Sequence, residues 1–214
     1  MIVSIKKSKK GSAFKQTMVP SANKCIEIMD KYHMLKNIRA HCFVVARIAY
    51  LLATELAHNH IRIDIPLVVS GALLHDIGKT QALNNGGDHV KIGMEICRRE
   101  GFTELVPLVA EHVRLKGFEP EGNILEKEIV YYSDKRVNHD SIVTLEQRLS
   151  YILRRYAYGN PRLRAEILKN FNLCKEVEKK LFRPLPFRAG DISHLAGRKR
   201  LPFEIQNGDL DNGC

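Results

Sequence analysis

Residues 73–79 read Leu73-Leu74-His75-Asp76-Ile77-Gly78-Lys79, a histidine and an aspartate side by side at the end of an apolar run. The run starts at Leu67, behind Asp64 and Pro66, which stand where an N-terminal cap and a first-turn proline belong, and Gly78 stands where a helix would stop. The pattern predicts a helix that is apolar on most sides and therefore buried. An aspartate at the end of such a helix loses its hydration unless a cation neutralises it, and the neighbouring imidazole suits the same divalent metal.

Outward from this stretch, almost every periodic segment repeats at helical spacing, so the fold class is all-α. Ser21 caps a first helix carrying Ile26, Met29 and Met34. Asn37 caps a second that runs to about His58, with Ile38, Val45, Ile48, Leu52 and Leu56 inward. After the His75-Asp76 helix, Asp88 starts a fourth that ends at Gly101, and Thr103, Glu104 and Pro107 start a fifth through about Lys116. Gly117 to Asn123 is a loop. Ile124 to Val137 forms a sixth helix, Thr144 to Tyr158 a seventh, and Pro161 opens a last one to about Leu181. The organisation expected is one helical-bundle domain over 21–182, a short basic N-terminal segment over 1–20 and an extended C-terminal tail over 183–214, with a basic Arg198-Lys199-Arg200 cluster.

The 214 residues suffice for one well-buried core, and 44% apolar with 27% charged residues excludes a largely disordered chain. The apolar stretch Phe43 to Ala53 is interrupted by Arg47 and falls short of the roughly 20 residues that cross a bilayer, so no transmembrane helix, no membrane partner and a cytoplasmic location are expected. Lys6, Lys7, Lys9 and Lys10 precede no apolar stretch of the secretory kind. The five cysteines are scattered with no Cys-x-x-Cys pair, which argues for reduced thiols and against a cysteine zinc site. A net charge of +10 suits a polyanionic partner: a phosphorylated small molecule such as a nucleotide, or a nucleic acid.

More inward-facing polar residues join His75 and Asp76. His41 lies beside the Val45, Ile48 and Leu52 stripe, His112 beside Leu108 and Val109, and Asp134 on the face of Val130 and Val137, where an ion pair with Lys135, Arg136 or Arg39 is the alternative to a metal. His89 stands at a helix mouth. Burying so many imidazoles and carboxylates together is costly without a cation. Lys79, just past the turn, can reach a phosphate oxygen as a point charge, and Lys135 or Arg39 can do the same. Glu111 can orient a ligand. Gly78-Lys79-Thr80 is not a phosphate-binding loop, because Leu73 occupies the place of its first glycine, and His139-Asp140 repeats the dipeptide in a polar stretch. Nitrogen and oxygen ligands without thiolate suit iron, manganese, nickel, cobalt, zinc or magnesium.

The order His41, His75-Asp76, His89, His112, Asp134 resembles the HD superfamily of metal-dependent phosphohydrolases, and His75-Asp76-Ile77-Gly78-Lys79 is similar to the HDIG signature of one branch. Asn37-Ile38-Arg39-Ala40-His41, Asp88-His89-Val90-Lys91-Ile92-Gly93, Ala110-Glu111-His112-Val113 and Tyr132-Ser133-Asp134-Lys135-Arg136-Val137 extend the likeness. The resemblance implies that His41, His75, Asp76 and Asp134 hold one metal, with Asp76 bridging to a second held by His89 and His112. It implies hydrolysis of a phosphoester or phosphoanhydride in a nucleotide-type substrate by a metal-activated hydroxide, with Asp76 and Lys79 as catalytic residues. His112-Val113 in place of a histidine pair, and the absence of a Gly-Tyr-Pro element, disfavour cyclic dinucleotides. The ligand order is closer to small bacterial hydrolases of dinucleoside polyphosphates. RNA or DNA phosphodiester cleavage, or a non-catalytic signalling or nucleic-acid-binding module, are the alternatives.

Overall fold

The computed structural model describes residues 19–198 and 201; the expectations for Lys6 to Lys10, for Lys199-Arg200 and for Cys214 lie outside them. The chain folds as a helical bundle. Helix α1 (Ala22–Lys31) begins at Ser21, whose hydroxyl accepts from Lys24 N. Helix α2 (Lys36–His58) follows, and α3 (Ile65–Leu74) begins behind Asp64, which accepts from Leu67 N. Then come α4 (Lys79–Asn85), α5 (His89–Arg99) behind the Asp88 cap, a 3-10 turn (Thr103–Leu105) and α6 (Val106–Glu111). Helix α7 (Glu126–Lys135) leads into a two-stranded antiparallel hairpin, β1 (Val137–Asn138) and β2 (Ser141–Ile142). Helix α8 (Leu145–Tyr156) is capped by Thr144, α9 (Pro161–Phe182) by Asn160, and α10 (Ile192–Arg198) is the last.

Helix α2 is the axis. It packs on α3, α7 and α10, and Cys42, Val45, Ala46, Ile48, Ala49, Leu52, Ala53 and Leu56 are fully buried. By length and composition α2 could cross a bilayer, but 56% of its most apolar window is buried inside the bundle, as befits a core helix. The four described cysteines, Cys25, Cys42, Cys97 and Cys174, are buried and unbridged.

Helix α4 and the hairpin were not expected, the helix expected over Ile124 to Val137 gives up Val137 to β1, and the structure departs from the sequence reading in four further places. Helix α2 starts one residue before Asn37, and the backbone N–H of Leu35 is met from another element, donating to Thr80 Oγ1 at 3.0 Å. Gly78 does not stop the third helix. It has φ −78° and ψ −9°, right-handed values that let the chain run on into α4. The fifth helix ends at Glu111 rather than Lys116, because Glu111 folds back to accept from Lys116 N at 2.8 Å and Lys127 Nζ at 2.9 Å. Glu111 thus holds a turn and does not touch a candidate ligand. Finally, residues 183–198, expected in an extended tail, carry a 3-10 turn (Ala189–Asp191) and α10, with Ile192, Ala196 and Leu201 fully buried in the core. Helix α10 packs on α2, so this segment completes the core.

Candidate metal centre

Two helices are capped at the C-terminus by a histidine. His75 occupies the C-cap of α3 and His112 the C-cap of α6, both with right-handed backbone values. The last carbonyls of a helix lack an N–H partner. Each imidazole supplies one: His75 Nδ1 lies 2.7 Å from Ala72 O, and His112 Nδ1 lies 2.7 Å from Val109 O. A carbonyl only accepts, so Nδ1 carries a proton in both rings, and Nε2 is the atom left to face a ligand. His41, one turn into α2, has the same arrangement from outside its helix, with Nδ1 2.8 Å from the carbonyl of His139 in the β1–β2 turn. His139 has φ 55°, and this left-handed turn residue aims the carbonyl at His41.

The three Nε2 atoms converge on two carboxylates. His41 Nε2 is 3.0 Å from Asp134 Oδ1, while His75 Nε2 is 3.7 Å from the same oxygen and 3.6 Å from Asp76 Oδ2. The other oxygen of Asp76, Oδ1, faces His112 Nε2 at 3.5 Å and His89 Nε2 at 3.7 Å. Donor atoms of His41, His75 and Asp134 all lie within 4.8 Å of one another, and so do those of His75, Asp76 and His112. His89 stands beside the second group, about 30% exposed at the mouth. The six residues expected from sequence therefore meet at one place, with Asp76 between the two groups.

His75 Nε2 tests whether a cation fits. It is buried and has no hydrogen-bond partner among the described residues. An orphaned buried acceptor costs on the order of 1–3 kcal/mol, and its lone pair points between Asp76 and Asp134 at distances too long for hydrogen bonds. Burial also holds His75 neutral, lowering its pKa to about 3. Burial pushes Asp76 and Asp134 the other way, but their neighbours outweigh it: His75, His112 and Lys79 around Asp76, and Lys135, His41 and His75 around Asp134. Both carboxyls lie well below the usual carboxylate range. The neutral His75 imidazole, two ionised carboxylates and the neighbouring ring nitrogens form a donor set that suits a divalent ion.

The basic residues divide. Lys79 Nζ is 2.8 Å from Asp76 Oδ2 and its side chain is 43% exposed, so it lies at the open side of the site. Asp76 keeps its ammonium charged against the effect of burial. Lys135, expected to reach a substrate phosphate, is instead buried, and its Nζ donates to His112 O at 2.7 Å and Asp134 Oδ2 at 2.8 Å. It ties the two groups together from behind. Arg39 pairs with Asp30 and lies over the Phe43 ring. Sequence reasoning missed His139, whose contribution is a backbone carbonyl, a group every residue carries.

Helix α5 is held against this site by contact between backbones. A Cβ built on Gly78 would lie 2.2 Å from His89 O and 2.5 Å from Gly93 N. Alanine suits the local dihedrals, so any penalty in Gly78→Ala comes from pushing α5 and His89 away. A loss of about 1–3 kcal/mol is expected in denaturant unfolding. A midpoint that rises or stays put would disprove the contact.

The family model of the HD domain matches residues 38–138, from the start of α2 to the end of β1, and so spans all six residues. An uncharacterized protein of Methanocaldococcus jannaschii is 30% identical over 148 residues, 63% of this chain and 86% of the relative. The chain belongs to the HD-domain family. HD domains bind divalent metals, in keeping with the donor groups described above. Other relatives are longer. A tRNA (cytidine(56)-2'-O)-methyltransferase of Thermoplasma volcanium is 28% identical over 158 residues, 68% of this chain and 44% of the relative. A ribonuclease Y of Sulfurovum sp. is 42% identical over 79 residues, 36% of this chain and 14% of the relative. The HD-domain chain thus spans less than half of the methyltransferase and about one seventh of the ribonuclease. No solved structure matches it.

Proposed function

We propose that this HD-domain protein is a divalent-metal phosphohydrolase that cleaves a phosphoester or phosphoanhydride bond of a nucleotide-type substrate. The observation that carries the reading is the orphaned Nε2 of His75, aimed between two buried carboxylates inside a cage of further imidazoles. His41, His75, Asp76 and Asp134 would hold one ion, and Asp76 with His89 and His112 a second. Divalent ions there supply Lewis-acid polarisation of a phosphoryl group and acidify the attacking water. The chain's own groups do the rest. Lys79 and Lys135 offset the charges of Asp76 and Asp134, so each added divalent ion leaves the site net positive, which favours an anionic substrate. Lys79, at the open side, binds a phosphoryl oxygen, and the carbonyls of Ala72, Val109 and His139 keep the rings aimed.

A phosphodiester in RNA is the second reading, favoured by the ribonuclease Y relatives and by the net charge of +10. Purified protein supplied in turn with manganese, iron, nickel, cobalt, zinc and magnesium, then offered dinucleoside polyphosphates, nucleoside phosphates, cyclic nucleotides and short RNA, should bind one or two ions per chain and hydrolyse one of these classes. Neither metal uptake nor hydrolysis under any of these conditions would sink the reading.

A further inference from the structure

The corner between α8 and α9 reads Arg154-Arg155-Tyr156-Ala157-Tyr158-Gly159-Asn160-Pro161-Arg162-Leu163-Arg164, with four arginines and no carboxylate. It is built, not frayed. Ala157 is buried and its N–H donates to Leu153 O, Asn160 N–H donates to Ala157 O at 3.2 Å, and the Asn160 side chain accepts from Leu163 N at 2.9 Å. On this frame Tyr156 is 61% and Tyr158 95% exposed, so neither ring is there to complete the core. Arg154, Arg155 and Arg164 have no ion pair among the described residues, and Arg162 meets Glu166 only loosely, at 3.8 Å.

The corner leads along α8 toward the hairpin that backs the metal centre. Going back along α8, Arg154, Tyr151, Ser150, Gln147 and Glu146, whose charge Lys175 meets at 3.3 Å, line an open cavity of about 480 Å³ together with Asn138 of the hairpin. Tyr151 meets the His139 ring edge-on at 5.3 Å, Arg148 donates to Asn138 Oδ1 at 2.9 Å, and His139 O is the group that aims His41.

We propose that this face of α8 and its corner with α9 bind single-stranded nucleic acid, with Tyr156 and Tyr158 stacking on bases and Arg154, Arg155, Arg162 and Arg164 meeting phosphates. The strand runs along α8 toward the hairpin, which gives the metal centre its substrate; that last step rests on the phosphohydrolase reading. Rings fixed in the open need unstacked bases, so a single strand fits better than a duplex. An anionic membrane shares the charge complementarity. However, the corner exposes no large aliphatic side chain of the kind that would enter a bilayer, since Leu163 is half-buried.

The test uses the full chain with a chelator present and a fluorescent oligouridylate of about 12 nucleotides, within the ~4–16 usual for such surfaces. Anisotropy should show binding that weakens steeply with salt. Tyr156→Ala with Tyr158→Ala should weaken it about ten-fold or more, while Tyr158→Phe should bind as the parent does. Replacing Arg154, Arg155 and Arg164 by alanine should flatten the slope of log affinity against log salt by about 2, at ~0.7 per phosphate lost. Unchanged affinity in these variants would overturn the proposal. So would a duplex bound equally well, or a protein that takes up phosphatidylserine vesicles and ignores the oligonucleotide. A chain that binds the strand but hydrolyses nothing with metal supplied supports the surface and fails only the catalytic reading. One that hydrolyses a nucleotide but does not bind the strand fails only the surface.

Discussion

Asp76→Asn should cut hydrolysis by about 10³-fold and remove at least one bound ion. The substitution keeps the shape of a side chain that is 2% exposed, and so leaves the packing in place. It takes away the charge on which His75, His112, His89 and Lys79 converge from both oxygens. Removing a single well-placed electrostatic group in an active site costs about 10²–10³ in rate, and a carboxylate standing between two metal groups belongs at the upper end. Elemental analysis and a turnover assay on the same preparation read the two effects separately. Wild-type metal content together with wild-type turnover would show that the chemistry lies elsewhere.

Lys180→Met should destabilise the fold by about 3–5 kcal/mol without touching the metal centre. Glu128 is 1% exposed and Lys180 5%, and the ammonium lies 2.9 Å from both carboxylate oxygens and 2.8 Å from Asn123 O. Glu128 also stands in the first turn of α7, where it accepts from Leu125 N at 3.2 Å, so the pair fastens the start of the helix that carries Asp134 to α9. Removing the lysine leaves a buried carboxylate without its counter-ion. Replacing both residues, Lys180→Met with Glu128→Leu, should recover much of the loss, because an apolar pair avoids the desolvation cost of two ions. Guanidinium unfolding measures both. A single variant within about 1 kcal/mol of the parent would show that the pair is dispensable.

His41, His112 and Asp134 were legible in the sequence because each is a polar side chain on an otherwise apolar helical face, and His75-Asp76 because it closes an apolar run; His89, at a helix mouth, came in only through the family resemblance. Helix starts were legible where the signal is local, as at the caps Ser21, Asp64, Asp88 and Thr144 and at Pro161. The start of α2 was not, because its orphan N–H at Leu35 is met by Thr80 from a different helix. Gly78 misled for a related reason. A glycine near a helix end suggests a left-handed stop, but this one makes room for the backbone of His89 and Gly93, a requirement set by tertiary packing. For Lys135 the sequence offered both a substrate phosphate and an ion pair with Asp134; the structure has the ion pair, and the carbonyl of His112, which completes its burial, is not visible in a local window.

Helix α10 lies on α2, the axis of the bundle, although His58 at the end of one and Ile192 at the start of the other are more than half the chain apart in sequence. Most bundles assemble from neighbouring hairpins and fold fast because their contacts are local. Here the last piece of the core must wait for Ile192, Ala196 and Leu201, and a loop that long loses more entropy on closing. Until then part of α2, the most apolar helix long enough to span a bilayer, stays open to water and to other chains. During synthesis this face is the place where aggregation would begin and where a chaperone would bind.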